Sequence, residues 1–152
     1  MIKNVLVAVD GSPESTKALD FALELAEKYD AKVAILNVSE IPAIGAASQT
    51  TAVAYASDTM PVPIFARDLN KLHEDILSKA LAYSVAAKPG LAISTKLREG
   101  DPALEIVAMA KEEKFDAIVV AHKGMGRVRE ALLGSISEKV AHQATCPVII
   151  VR

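Results

Sequence analysis

The stretch Val5-Leu6-Val7-Ala8-Val9-Asp10-Gly11-Ser12-Pro13 decides the fold. Five apolar residues in a row read as a short buried strand. Gly11 breaks it, Ser12 is a good helix N-cap, and Pro13 suits the first helical position. The spacing of Ala18, Leu19, Ala22, Leu25 and Ala26 then predicts a helix to about Tyr29. A strand that runs straight into a capped helix is the opening of a β-α-β unit.

The same alternation continues outward. Asp30-Ala31 turns the chain into a second strand over Lys32 to Val38. Ser39 to Phe65 carries Pro42, Pro61 and Pro63 among small residues, and reads as a long loop or flexible insertion (about 39–65) able to hold a short helix. A helix follows over Ala66 to Ala87, stopped by Pro89-Gly90, then a strand over Leu91 to Leu97. Asp101-Pro102 repeats the cap-plus-proline signal and opens a helix to about Lys114. Strands over Ala117 to Ala121 and Pro147 to Val151 flank a last helix from Ser135 to about Ala144. The expected fold class is α/β: one domain, 1–152, holding a single doubly wound five-stranded parallel sheet with helices on both faces. Ligands of such sheets sit beyond the carboxyl ends of the strands, where strand order reverses. Those ends are Asp10, Val38-Ser39, Arg98-Glu99 and Ala121-His122.

Composition agrees and excludes several classes. The chain is 51% apolar but only 4% aromatic, with no Trp, so Ala, Val, Ile and Leu must build the core. A net charge of -2 leaves no electrostatic footprint for nucleic acid. Cys146, the single cysteine, rules out an internal disulfide and reads as a buried small apolar residue. The longest uncharged stretch, Ile41 to Ser57, is too polar and broken to span a membrane, and no signal peptide is visible. The expected compartment is the cytoplasm.

The chemistry concentrates in Ala121-His122-Lys123-Gly124-Met125-Gly126-Arg127-Val128-Arg129-Glu130-Ala131-Leu132-Leu133-Gly134-Ser135. This segment leaves a strand and ends at a helix start. Glycines let backbone N–H groups approach a ligand, and a helix N-terminus offers free donors with partial positive charge. Together they suit phosphate. Lys123, Arg127 and Arg129 against Glu130 give a locally positive balance. No Gly-Lys-Ser/Thr closes a Walker A loop, and Arg129 stands where a dinucleotide fingerprint needs its third glycine. The competing reading is a plain capped helix, with Ser135 and Glu138 forming a capping box. His73 and His142 read as surface residues on helices, and no metal spacing is present.

The segment resembles the universal stress protein family, whose nucleotide-binding members carry Gly, two residues, Gly, nine residues, then Gly-Ser or Gly-Thr. Gly124, nine residues and Gly134-Ser135 match. So do Val7-Ala8-Val9-Asp10-Gly11-Ser12, Glu99-Gly100-Asp101-Pro102, Ser135-Ile136-Ser137-Glu138-Lys139-Val140 and Thr145-Cys146-Pro147-Val148. The resemblance covers nearly the whole chain and implies a Rossmann-like fold, similar to adenine nucleotide alpha hydrolases. It also implies site roles. Asp10 contacts the ribose side or helps hold Mg²⁺ brought by the nucleotide. The backbone of Val38 pairs with adenine, and Ala8 lines that pocket. Ala121, His122, Lys123, Gly124, Met125, Gly126 and Arg127 wrap ribose and phosphates. Gly134, Ser135, Ile136 and Ser137 close on the phosphates. The departure is Ala121, which replaces the first motif glycine and resists positive φ. Asp10 has a second reading as a side chain that caps its own turn.

Three functions stand open at this level. One is a stress-response sensor or regulatory module that binds ATP, ADP or AMP and signals to a protein partner. Another is a slow ATPase or phosphotransferase. The last is a dimeric interaction module without nucleotide. A homodimer through strand 147–151 is expected, with no nucleic acid or membrane partner. A receiver domain is set aside, because the first strand ends in one acid and the third in Arg98-Glu99.

Overall fold

The computed structural model describes residues 1–40, 62–124 and 133–152. Five strands are present: β1 (Asn4–Ala8), β2 (Lys32–Ser39), β3 (Ile93–Glu99), β4 (Ala117–Ala121) and β5 (Val148–Val151). The helices are α1 (Pro13–Tyr29), α2 (Val62–Ala87), α3 (Pro102–Glu112) and α4 (Ser135–Gln143). All strand pairs are parallel, in the order β3-β2-β1-β4-β5. The expected doubly wound sheet is therefore present.

Period-two alternation splits the core into two layers. Val5, Val7, Val33, Ile35 and Val119 face α1 and α2. Leu6, Ala34, Leu36, Ile118 and Val120 face α3 and α4. Each fully buried aliphatic side chain contributes roughly 1.5–3 kcal/mol. Ala18, Ala22 and Ala26 of α1 are all fully buried. A stripe of such small side chains lets the helix lie close on the sheet.

Local signals set the helix ends. Ser12 caps α1, accepting the Ser15 N–H at 3.1 Å, and Asp101 caps α3, accepting the Leu104 N–H at 3.1 Å. Asp30 ends α1 in the left-handed region at φ 53°. Several boundaries differ from expectation. α2 reaches back to Val62, inside the predicted loop, because Pro63 then falls in the first turn, where no intrahelical N–H is needed. β3 starts at Ile93 because a turn from Lys88 to Leu91 consumes the preceding residues. At the opposite end of the sheet, Asp116 accepts the N–H groups of Lys3 (2.8 Å) and Asn4 (2.9 Å), which lowers its carboxyl pKa. Cys146 is half-buried rather than buried, and desolvation pushes its thiol up, away from reactivity.

Candidate functional site

Strand order reverses between β1 and β4, and the crevice beyond the carboxyl ends of the strands at such a switch point is where doubly wound sheets bind ligands. Asp10 follows β1. Its Oδ1 accepts the Ser12 N–H at 2.9 Å, so the turn-capping reading holds. Its Oδ2 lies against Gly124: a Cβ added there would stand 2.6 Å from it. The chain leaving β4 thus passes directly over the carboxylate, and any larger residue at position 124 would push the Asp10 side chain aside.

The start of α4 is built onto the β4 exit. The His122 carbonyl accepts the Gly134 N–H at 2.7 Å and the Ser137 hydroxyl at 2.9 Å. That hydroxyl also lies 2.9 Å from the Gly134 carbonyl. A Cβ on Gly134 would meet the His122 oxygen at 2.9 Å and the Lys123 Cα at 3.1 Å. Gly134, not Ser135, is the N-cap, and it supplies no side-chain hydrogen bond. The expected Ser135–Glu138 capping box is therefore absent: Ser135 is already helical. The first-turn N–H groups of Ser135, Ile136 and Ser137 have no intrahelical acceptor by helix geometry. The Ser137 side chain is spent inside the fold, so only its backbone can serve a ligand.

β2 outruns β1. The β1–β2 register stops at Ala8↔Leu36, followed by the Val9 N–H to Leu36 carbonyl bond at 2.9 Å. In a parallel strand alternate residues direct both backbone groups to the same neighbour. Leu36 faces β1, so the N–H and C=O of Val38 face the space where β1 has ended. Ala8, Val38 and Ile136 are half-buried and pack on the same core layer, which gives that space apolar walls.

Ala121 closes β4, paired with Val151, and packs on the opposite layer. It is not a positive-φ residue; among the described non-glycine residues those are Asp30 and Lys114. Alanine is therefore unstrained at this position. His122 and Lys123 are half-buried, and the His122 Nδ1 is buried without a hydrogen-bond partner among the described residues. Such an atom costs roughly 1–3 kcal/mol unless something pairs with it. Met125, Gly126 and Arg127 lie outside the described residues. Among those described, no group of three or more His, Cys, Asp or Glu could hold a metal ion.

Two residues escaped the sequence reading. Asn37 is buried in β2, and His73, expected on the surface, is half-buried with its Nδ1 2.5 Å from the Asn37 Oδ1. A lone Asn inside Val33-Ala34-Ile35-Leu36-Asn37-Val38 was the available signal, since buried polar groups need partners.

Fold and crevice together define a doubly wound α/β protein with a candidate ligand site at its topological switch point. The chain belongs to the Universal stress protein family, which it matches over residues 1–152. It is 38% identical, over all of both chains, to Universal stress protein YxiE of Bacillus subtilis (strain 168). A universal stress protein solved in complex with cAMP superimposes with a TM-score of 0.71 at 26% identity, covering 99% of this chain and 97% of that one. Universal stress protein UspA from Lactobacillus plantarum gives a TM-score of 0.78 at 24% identity, covering 99% and 98%, and supports the fold. No described helix is long and apolar enough to cross a membrane.

Proposed function

We propose that this chain binds an adenine nucleotide, ATP or AMP, in the β1/β4 crevice and acts as a cytoplasmic regulatory module rather than a fast enzyme. The observation that carries the reading is the pair of main-chain groups on Val38 that face the space beyond β1. Adenine's edge offers a matching donor and acceptor. The similar protein that holds cAMP supports an adenine ligand.

The remaining residues fit the rest of such a ligand. Ala8 would line the base pocket. Asp10 would face ribose. The Ala121, His122, Lys123 and Gly124 stretch would wrap ribose and phosphates, with Met125, Gly126 and Arg127 continuing it. A ligand oxygen or hydroxyl would relieve the unpaired His122 Nδ1. Gly134 would set the α4 start so that Ser135, Ile136 and Ser137 aim backbone N–H groups at phosphate. Mg²⁺ would arrive with the nucleotide, sharing Asp10 with phosphate oxygens. Turnover of ATP would be slow at best, since phosphoryl transfer needs a group that orients the attacking water, and Asp10 would be engaged with ribose and Mg²⁺.

Calorimetric titration of ligand-stripped protein with ATP and AMP tests the reading. Saturable heat is expected, and Asp10→Ala should weaken binding about tenfold. Heats no larger than those of dilution would overturn it.

β5 lies at the sheet edge, and its four residues are all half-buried. An open edge of this kind pairs readily with another chain. We propose a homodimer through residues 147–151. Light scattering at micromolar concentration should give twice the 16.1 kDa chain mass; a monomer mass would refute it.

A further inference from the structure

Asn37 is only 2% exposed. Its Nδ2 donates to the Val9 carbonyl at 2.7 Å. A carbonyl can only accept, so the orientation of this amide is fixed by chemistry. Its Oδ1 must then face His73, whose Nδ1 lies 2.5 Å away. An amide oxygen can only accept, so the His73 Nδ1 carries a hydrogen.

The Val9 carbonyl is the atom to which the next rung of the β1–β2 ladder would bring the Val38 N–H. Asn37 takes that carbonyl instead. Val9 is also the residue before Asp10, so the same contact orients the peptide that launches Asp10 into the crevice. The Val9 N–H is held from the other side by the Leu36 carbonyl.

We infer that Asn37 and His73 are positioning residues: His73 on α2 locks the Asn37 amide, and Asn37 holds the Val9 carbonyl so that the Val38 N–H stays open and Asp10 stays aimed. The effect on ligand rests on the nucleotide reading above; the relay itself does not. Through it, α2 is tied to the edge that would read the base.

Nitrogen-15 NMR of the ligand-free protein tests the relay directly. The His73 ring is expected to carry hydrogen on Nδ1; a neutral ring protonated on Nε2 alone would overturn the inference. His73→Leu removes the donor, and His73→Asn places an Nδ2 donor at the same distance from Cβ. The leucine variant should shift the amide signals of Asp10 and Val38 and weaken AMP binding about tenfold. The asparagine variant should restore both, with affinity within about twofold of the parent. Unchanged signals and affinity in His73→Leu would refute the positioning role. If the parent chain binds no AMP, the nucleotide reading fails, and the relay is then judged on the tautomer and amide shifts alone.

Discussion

The Gly134→Val protein is expected to melt roughly 4–8 °C below the parent, a loss of about 2 kcal/mol. The cause is the 2.9 Å approach that any Cβ at this position would make to the His122 oxygen, with the Lys123 Cα at 3.1 Å behind it. Both are backbone atoms at the β4 exit, so no side chain can swing aside. Relief requires α4 to back away, which breaks the Gly134 N–H bond to His122 and the Ser137 hydroxyl contact together. Gly90→Val is the control: nothing lies within 4 Å of a Cβ there, and its melting temperature should change little. Equal melting of the two variants would show that the α4 start is more yielding than these distances imply.

Gly124→Val should behave in the opposite way. Its added Cβ would stand 2.6 Å from the Asp10 Oδ2, the far end of a side chain, and the next nearest atom is the Asp10 Cγ at 3.8 Å. Asp10 can rotate away at modest cost, so the fold should survive with melting within a few degrees of the parent. The displaced carboxylate and the added methyl groups would then occupy the crevice. Loss of AMP and ATP affinity by more than about tenfold is expected in calorimetry. Binding within about twofold of the parent would remove Gly124 and Asp10 from the site. The contrast between the two glycines separates a position that holds the fold from one that keeps the crevice open.

Much of this was legible in the sequence, and the reasons are specific. Ser12-Pro13 and Asp101-Pro102 announce helix starts because cap chemistry is local, and both caps form as expected. The run Val5 to Val9 alternates between two core layers, as a strand covered on both faces must. The Gly124 to Gly134-Ser135 spacing marked a segment that the fold places at the exit of β4, with Gly124 against Asp10 and Gly134 at the start of α4. The Ser135 capping box failed because Gly and Ser are both acceptable N-caps, and tertiary contact with His122 decides which residue starts the helix. The unusual backbone angle considered for Ala121 does not arise, because pairing with Val151 keeps the residue in β4. The Asn37–His73 contact was illegible because it joins β2 to α2 across 36 positions.

The overhang of β2 past β1 has a consequence for how this protein can drift. The groups of Val38 that look into the gap belong to the peptide link, which every amino acid carries. Exchanging valine for isoleucine or threonine would alter the walls and leave the donor and acceptor in place; proline alone would delete the donor. A base recognised there would be recognised by something mutation can scarcely erase, so relatives can diverge in letters at this point while keeping the same grip.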